Sequence, residues 1–208
     1  MCTRYALHHD GAALRAAFGL RAGDAGDAAG DDWRRTFFPQ QLAPVVRRSV
    51  GGARQLLSMR WGFPPPFGSK RPVLNVRNLH SAFWRPWLVP AQRCLVPMSS
   101  FCEYTDQLPK LAHWFGLAAA RPLAAFAGIW RLVSDGQPLF AFLTCAANGV
   151  VAPIHAKAMP VVLPGPDAWD TWLTAPTEAA VGLQQPLADA QLQVVRTGVA
   201  ADNADPIT

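Results

Sequence analysis

Three apolar stretches, residues 112–117, 123–132 and 138–146, follow one another with only short breaks, and no other feature constrains the fold as much. The breaks carry turn chemistry, Arg121-Pro122 and Asp135-Gly136. Segments of this length, rich in aromatic and aliphatic residues and bounded by Pro and Gly, read as strands. Shorter segments of the same kind lie at 3–8, 42–46, 55–59, 73–76, 93–97, 101–104, 159–163 and 192–195, with Gly51-Gly52 turning the second into the third. Helical patterns are few. They cover 12–20, 77–85 (stopped by Pro86) and 164–173, where Pro166 suits a first turn, Asp167 complements the N-terminal dipole and Trp169 and Trp172 share a face. Many short strands with a few helices predict an α+β fold. The expected architecture is one domain over residues 1–208, built around a mixed, largely antiparallel, barrel-like sheet with flanking helices. Residues 21–32 read as a mobile surface loop, 61–72 as a Pro/Gly-rich loop, and 200–208 as a loose tail.

Composition limits what such a fold does. Half the chain is hydrophobic and 16% is charged, which describes a packed protein rather than a disordered one. No apolar run reaches eighteen residues, and the N-terminus lacks the basic-then-apolar order of a secretory signal, so a cytoplasmic protein is expected. Cys2, Cys94, Cys102 and Cys145 show no CxxC spacing and suggest neither a disulfide framework nor a metal site; no cofactor is expected. The net charge is +5. Nine of the basic residues fall between Arg47 and Arg93, a run with one histidine and no acid, interleaved with Trp61, Phe63, Phe67, Phe83, Trp84 and Trp87. Cations for phosphates beside flat rings for bases suit a single-strand binder, although the same rings also suit a core with solvated arginines around it.

Chemistry begins at Met1-Cys2-Thr3-Arg4. Methionine is commonly trimmed before a small residue. Cys2 would then carry an α-amine of pKa about 7.7–8.0 next to a thiol of about 8.5. A 1,2-aminothiol condenses with an aldehyde to a thiazolidine, and an N-terminal cysteine also serves acyl transfer. The plain alternative is an inert thiol at the start of a buried strand. Asn75, in Leu74-Asn75-Val76-Arg77, offers an amide donor and acceptor, or is a turn residue. Glu103, inside Phe101-Cys102-Glu103-Tyr104, would be a proton shuttle if buried, or an exposed strand residue if not. His155, in an Ala-rich loop before Met159-Pro160, is a general acid/base by type. Arg4 and Arg77 are candidates for phosphate contacts.

Together and in order, these segments match a family. MCTRY at 1–5, RWGFP at 60–64, LNVRN at 74–78, RCLVPMSSFCEY at 93–104, FAGIW at 126–130 and IHAKAMPVVL at 154–163 make the sequence resemble the SOS response-associated peptidase (SRAP) family of abasic-site processing proteins. The resemblance implies that Cys2, once Met1 is removed, is the nucleophile that crosslinks to the ring-opened abasic deoxyribose in single-stranded DNA. It implies that Asn75 orients the sugar. Glu103 shuttles protons and is implicated in removing the leading residue, so autoproteolytic exposure of Cys2 is included. His155 assists ring opening and crosslink reversal. Arg4 and Arg77 would hold flanking phosphates, and Trp61 with the proline-rich loop from Pro64 would form a DNA-binding wall. The implied partner is single-stranded DNA containing abasic sites, with the protein a monomer, cytoplasmic and nucleoid-associated when bound.

This chain departs from the family pattern at several positions. Thr3 replaces a glycine, and Ser100-Phe101-Cys102-Glu103-Tyr104 stands for Gly-Phe-Tyr-Glu-Trp. The histidine loop has one extra residue, Ala158 replaces an arginine beside Lys157, and Thr36-Phe37-Phe38-Pro39 stands for Asn-x-x-Pro. Two other classes remain open at this point: an N-terminal-nucleophile cysteine amidohydrolase or glutamine amidotransferase, and a non-enzymatic DNA-binding member.

Overall fold

A computed structural model describes residues 2–20, 32–65, 69–118 and 123–199. In chain order the elements are β1 (Tyr5–Leu7), α1 (Gly11–Phe18), β2 (Arg35–Phe37), β3 (Leu42–Arg48), β4 (Arg54–Trp61), β5 (Asn75–Val76), β6 (Arg93–Met98), β7 (Ser100–Tyr104), β8 (Leu111–Leu117), β9 (Ala124–Leu132), β10 (Pro138–Cys145), β11 (Met159–Pro160), β12 (Val162–Leu163), α2 (Pro166–Thr174), α3 (Thr177–Val181) and β13 (Leu192–Val199). Single 3-10 turns lie at Arg85–Trp87, Pro90–Gln92 and Asp189–Gln191.

Five strands close on themselves in the order β10-β4-β3-β6-β9 and back to β10. The β3–β4, β3–β6, β6–β9 and β9–β10 seams are antiparallel, while β4 meets β10 in parallel at Arg60↔Leu139 and Trp61↔Phe140. Closure is therefore mixed, as expected from the sequence. A second, antiparallel sheet runs β13-β8-β7-β1-β2. From Ala124 to Trp130 every residue of β9 is buried, so it shows no alternation. It is paired along both edges and covered by α2, which buries both its faces.

An aromatic cluster joins the two sheets. Tyr5 on β1 stacks on Phe37 of β2 at 5.0 Å, and its edge meets the barrel rings Trp61 at 5.4 Å and Phe126 at 5.5 Å. Phe142 continues the cluster, 4.5 Å from Phe126 and 5.1 Å from Trp61. Each ring removes a large apolar area from water and adds about 0.5–1.5 kcal/mol per favourable pair. The consequence for function is positional: three residues after Cys2, the chain is pinned into the core.

The helices close the barrel's outer side. Asp10 caps α1 by accepting from the Ala13 amide at 2.8 Å, and Gly19 ends it in the left-handed conformation, φ 63°. Phe18 then packs on Trp169 of α2 at 4.4 Å. The Trp172 indole donates to the carbonyls of Cys94 and Gly128, tying α2 to β6 and β9. The fully buried Arg93 donates to the carbonyls of Trp172 and Ala175 at 2.6 Å each, satisfying the helix's C-terminal acceptors.

Three sequence expectations change. The helix expected over 77–85 is a series of turns ending in the Arg85–Trp87 3-10 turn. Asn78 Oδ1 accepts from the His80 amide and Ser81 Oγ from the Phe83 amide, local bonds that compete with helical ones. The strand expected over 159–163 is split at Val161, because β11 pairs with β10 and β12 with β9. Val161 bridges both, donating to Leu143 and accepting from Ala127. Strand β2, helix α3 and the continuation of β13 to Val199 were not expected. The expected loop over 21–32, apart from Asp32, and the tail over 200–208 lie outside the described residues. Among those described, no helix is long and apolar enough to cross a membrane.

Candidate active site and nucleic-acid interface

Cys2 enters the site through strand pairing. The register Tyr5↔Phe101 and Ala6↔Ser100 continues as the Cys102 amide donates to the Arg4 carbonyl at 2.9 Å. Cys2 is thereby held against the middle of β7. It is fully buried, its thiol 3.4 Å from the Arg4 carbonyl and 3.9 Å from that of Cys102. Burial, and then the neighbouring Glu103 charge, push the thiol's pKa well above its ordinary value. At neutral pH this sulfur is a thiol, not a thiolate.

Glu103 sits on β7 with its side chain on the Phe101 face, because strand side chains alternate. Cys102 turns the other way, into a small cluster with Ala6, Ala112 and Trp114. Glu103 is 2% exposed, and burial raises its carboxyl to about 7. His155 comes from the loop after β10. Asn148 shapes that loop: its Oδ1 accepts from the Val150 and Val151 amides, and its Nδ2 donates to Leu187. The His155 amide then donates to the Val151 carbonyl at 2.8 Å. His155 Nε2 lies 3.9 Å from Glu103 Oε2, too long for a direct hydrogen bond and short enough for a shared proton carrier. Burial lowers the His155 pKa, so the ring is neutral where Glu103 titrates.

Asn75 arrives from the third side. It opens β5, which pairs in parallel with β10 at Phe142, so Asn75 and the His155 loop leave at the same end of the barrel. The Trp61 indole donates to the Leu74 carbonyl at 3.1 Å and holds β5 in place. Asn75 is 9% exposed, and neither its Oδ1 nor its Nδ2 has a hydrogen-bond partner among the described residues. A buried amide left unpaired costs about 1–3 kcal/mol, so such a group ordinarily takes its partner from water or a ligand. Asn75 lines a cleft of about 470 Å³ with Thr3, Pro39, Arg71, Pro72, Val73 and Leu74. Gly62 packs against two of these lining residues at φ 129°, where a Cβ would collide with Gln40 Nε2 and stand 3.2 Å from the Pro72 Cβ and 3.3 Å from Leu74 Cδ2. The four residues singled out as catalytic come from the segment before β1 (Cys2), β5 (Asn75), β7 (Glu103) and the β10–β11 connection (His155); Glu103 meets both Cys2 and His155, and Asn75 shares its cleft with Thr3.

The expected DNA contacts divide. Arg77 and Pro64 are exposed beside the site. Trp61 does not form an outer wall: it is fully buried, packed on Phe142 and Phe140, because the barrel needs its ring as core. Arg4 is 1% exposed. Its guanidinium lies 4.9 Å from the Trp114 ring and 5.3 Å from that of Phe38, and donates to the Tyr104 hydroxyl at 3.4 Å. That aromatic clamp replaces the open phosphate contact expected from the sequence. Trp114, Phe38 and Asn148 were missed. Asn148-Gly149 is a recognised turn dipeptide and was the available signal for the last; the clamp had none. No three His, Cys, Asp or Glu side chains among the described residues group as metal ligands.

A family model described as SOS response associated peptidase (SRAP) matches residues 1–201. No curated protein matches the chain. Among solved structures, a Bacteroides thetaiotaomicron protein is similar at TM-score 0.77 and 16% identity, over 100% of this chain and 97% of that one. A Bordetella bronchiseptica protein is similar at TM-score 0.74 and 21% identity, over 97% and 100%. A phage-related protein of the same organism reaches TM-score 0.71 at 21% identity, over 97% and 95%. At these identities the likeness is one of fold.

Proposed function

Because the chain belongs to the SOS response associated peptidase (SRAP) family, whose members are tied to DNA damage, we propose that it traps abasic sites in single-stranded DNA by a covalent bond from Cys2. The observation that carries the reading is the grouping of Cys2 with the Glu103–His155 pair, together with the unpaired Asn75 amide in a cleft that Thr3, next to Cys2, also lines.

The order of events follows from protonation states. Met1 has to leave first, since while it is attached the Cys2 nitrogen is an amide and not a nucleophile. The free amine then attacks C1′ of the ring-opened sugar, and loss of water leaves an imine. The Cys2 sulfur is held protonated by burial, so it cannot lead. It adds second, to the imine carbon, as its proton passes to a carboxylate poised near neutrality, Glu103. The imine nitrogen takes up a proton, and the products are a thiazolidine and one water. Asn75 donates to and accepts from the sugar hydroxyls. His155, neutral at this pH, accepts the hydroxyl proton as the ring opens. An uncaptured imine invites β-elimination and strand breakage, so having both nucleophiles on one residue protects the strand. Arg77 and Arg71 supply cations beside the cleft for the flanking phosphates.

The test uses protein lacking Met1 and an oligonucleotide carrying one abasic site. The wild type forms an adduct that survives denaturation, and Cys2→Ala does not. Equal crosslinking by the two proteins overturns the mechanism. Ammonia release from glutamine by the same preparation would instead mark an N-terminal cysteine amidotransferase.

A further inference from the structure

At the other end of the β3–β4 hairpin lies a cleft that the proposed chemistry does not use. β3 begins at Leu42, paired with Arg60 next to Trp61, whose indole holds the residue before Asn75. It ends at Arg48, six strand steps away, or about 20 Å. There Arg47, Arg48, Ser49, Gln92 and Trp130 line a cavity of about 480 Å³, within the range of ligand sites. None of its lining residues is acidic.

Its construction is specific. The Arg47 guanidinium lies over the Trp130 ring at 4.4 Å, and the Trp130 indole is fixed by a 3.0 Å bond to the Ala91 carbonyl. Arg48 is oriented by its Nε donating to the Gly52 carbonyl at 3.1 Å, which leaves its terminal nitrogens available. The Arg47 Nε and the Gln92 Oε1 are both buried, and neither has a hydrogen-bond partner among the described residues. Two pre-oriented guanidiniums with no carboxylate beside them favour a phosphate, which matches the planar fork of arginine. A guanidinium backed by tryptophan also offers its outer face to a nucleobase.

We propose that this cleft is a second phosphate site, taken by the DNA strand several nucleotides from the lesion. The identity of the strand rests on the function proposed above; the affinity for phosphate does not. The per-strand rise of a stacked duplex, about 3.4 Å, is a lower limit for a single strand, so a separation of about 20 Å corresponds to at most about six nucleotides. An oligonucleotide of about five nucleotides centred on the lesion cannot reach both sites, whereas one of about twenty can.

The experiment compares full-length wild type, Arg48→Gln and Arg47→Gln by fluorescence anisotropy on both lengths, with inorganic pyrophosphate as the small-molecule probe in thermal melts. We expect Arg48→Gln to lose about tenfold in affinity for the long strand, and its salt slope to fall by about 0.7. Binding of the short strand and its adduct yield should stay as in wild type. Pyrophosphate stabilisation that Arg48→Gln abolishes, with long-strand affinity untouched, would overturn the strand and assign the cleft to a free phosphate. Unchanged long-strand binding together with no effect of pyrophosphate overturns the site altogether. Arg48 is half-exposed, so its variant carries the test should Arg47→Gln fold poorly. Loss of the short-strand adduct in wild type would instead indict the function and not this cleft.

Discussion

Glu103 holds a carboxyl inside the protein at a cost, and that cost is measurable. Its pKa is about 7 folded against an ordinary 4.5. A raised folded pKa favours the folded state fully below pH 4.5, and the advantage is lost as pH rises to about 7. We therefore expect Glu103→Gln to exceed the wild type in stability at pH 8 by about 3 kcal/mol, the gap closing toward pH 4.5, as read from denaturant melts across pH. The adduct rate in wild type should climb through pH 7 as the carboxylate becomes available as base, and Glu103→Gln should lose that inflection. Asn75 supplies a second separation of stability from function. Its amide atoms are buried and unpaired, so Asn75→Leu removes a desolvation cost of about 1–3 kcal/mol and should not lower the melting temperature. The adduct rate should nevertheless fall at least about tenfold, the worth of one well-placed hydrogen bond to a reacting sugar. A parallel fall in stability would mean that Asn75 serves the fold. The residue types and order of this set were readable in the sequence. Their protonation states were not, because burial, not identity, decides them.

Among the elements, α2 shows how little of the site's support is local. The sequence signalled the helix itself through Pro166, Asp167 and the Trp169/Trp172 face. Nothing local signalled that the Trp172 indole and Arg93 would fasten it across β6 and β9, with the Trp169 indole donating to Leu163 of β12. Arg93→Met should leave the Trp172 and Ala175 carbonyls without their donor and cost about 2–4 kcal/mol in a denaturant melt, with the adduct formed per folded molecule unchanged. A loss below about 0.5 kcal/mol would mean that these bonds are not held in solution. The same contrast explains the strand ends. The split at Val161 arises because two different neighbours, β10 and β9, claim adjacent residues. The segment 77–85, stopped by Pro86, reads as a helix, yet the side chains of Asn78 and Ser81 compete for its amides.

The whole molecule carries +5. Non-covalent binding to undamaged single-stranded DNA should weaken linearly with log salt, by about 0.7 per phosphate neutralised, whereas an adduct already formed should survive a salt wash. Salt-insensitive capture would mean that the basic run does not meet the strand. That run disperses on folding: Arg93 is buried as a helix clamp, Arg47 and Arg48 gather at the far cleft, Arg54 pairs with Asp170, Arg60 donates to Gln137 and the Gln40 carbonyl, and Arg71 and Arg77 stay beside the cleft of Asn75. The interleaved rings divide likewise, Trp61 and Phe63 going wholly to the core. The sequence by itself determined the strand-rich class, the family motifs and the chemical types at positions 2, 75, 103 and 155, because these depend on composition, periodicity and order along the chain. Only the tertiary structure decided that the Cys2 thiol is buried and protonated, that Arg4 lies between Trp114 and Phe38, and that Trp61 faces inward. Those outcomes depend on which surfaces meet when the barrel closes on the second sheet, and pairs a hundred residues apart, such as Arg4 and Tyr104, leave no local trace in the chain.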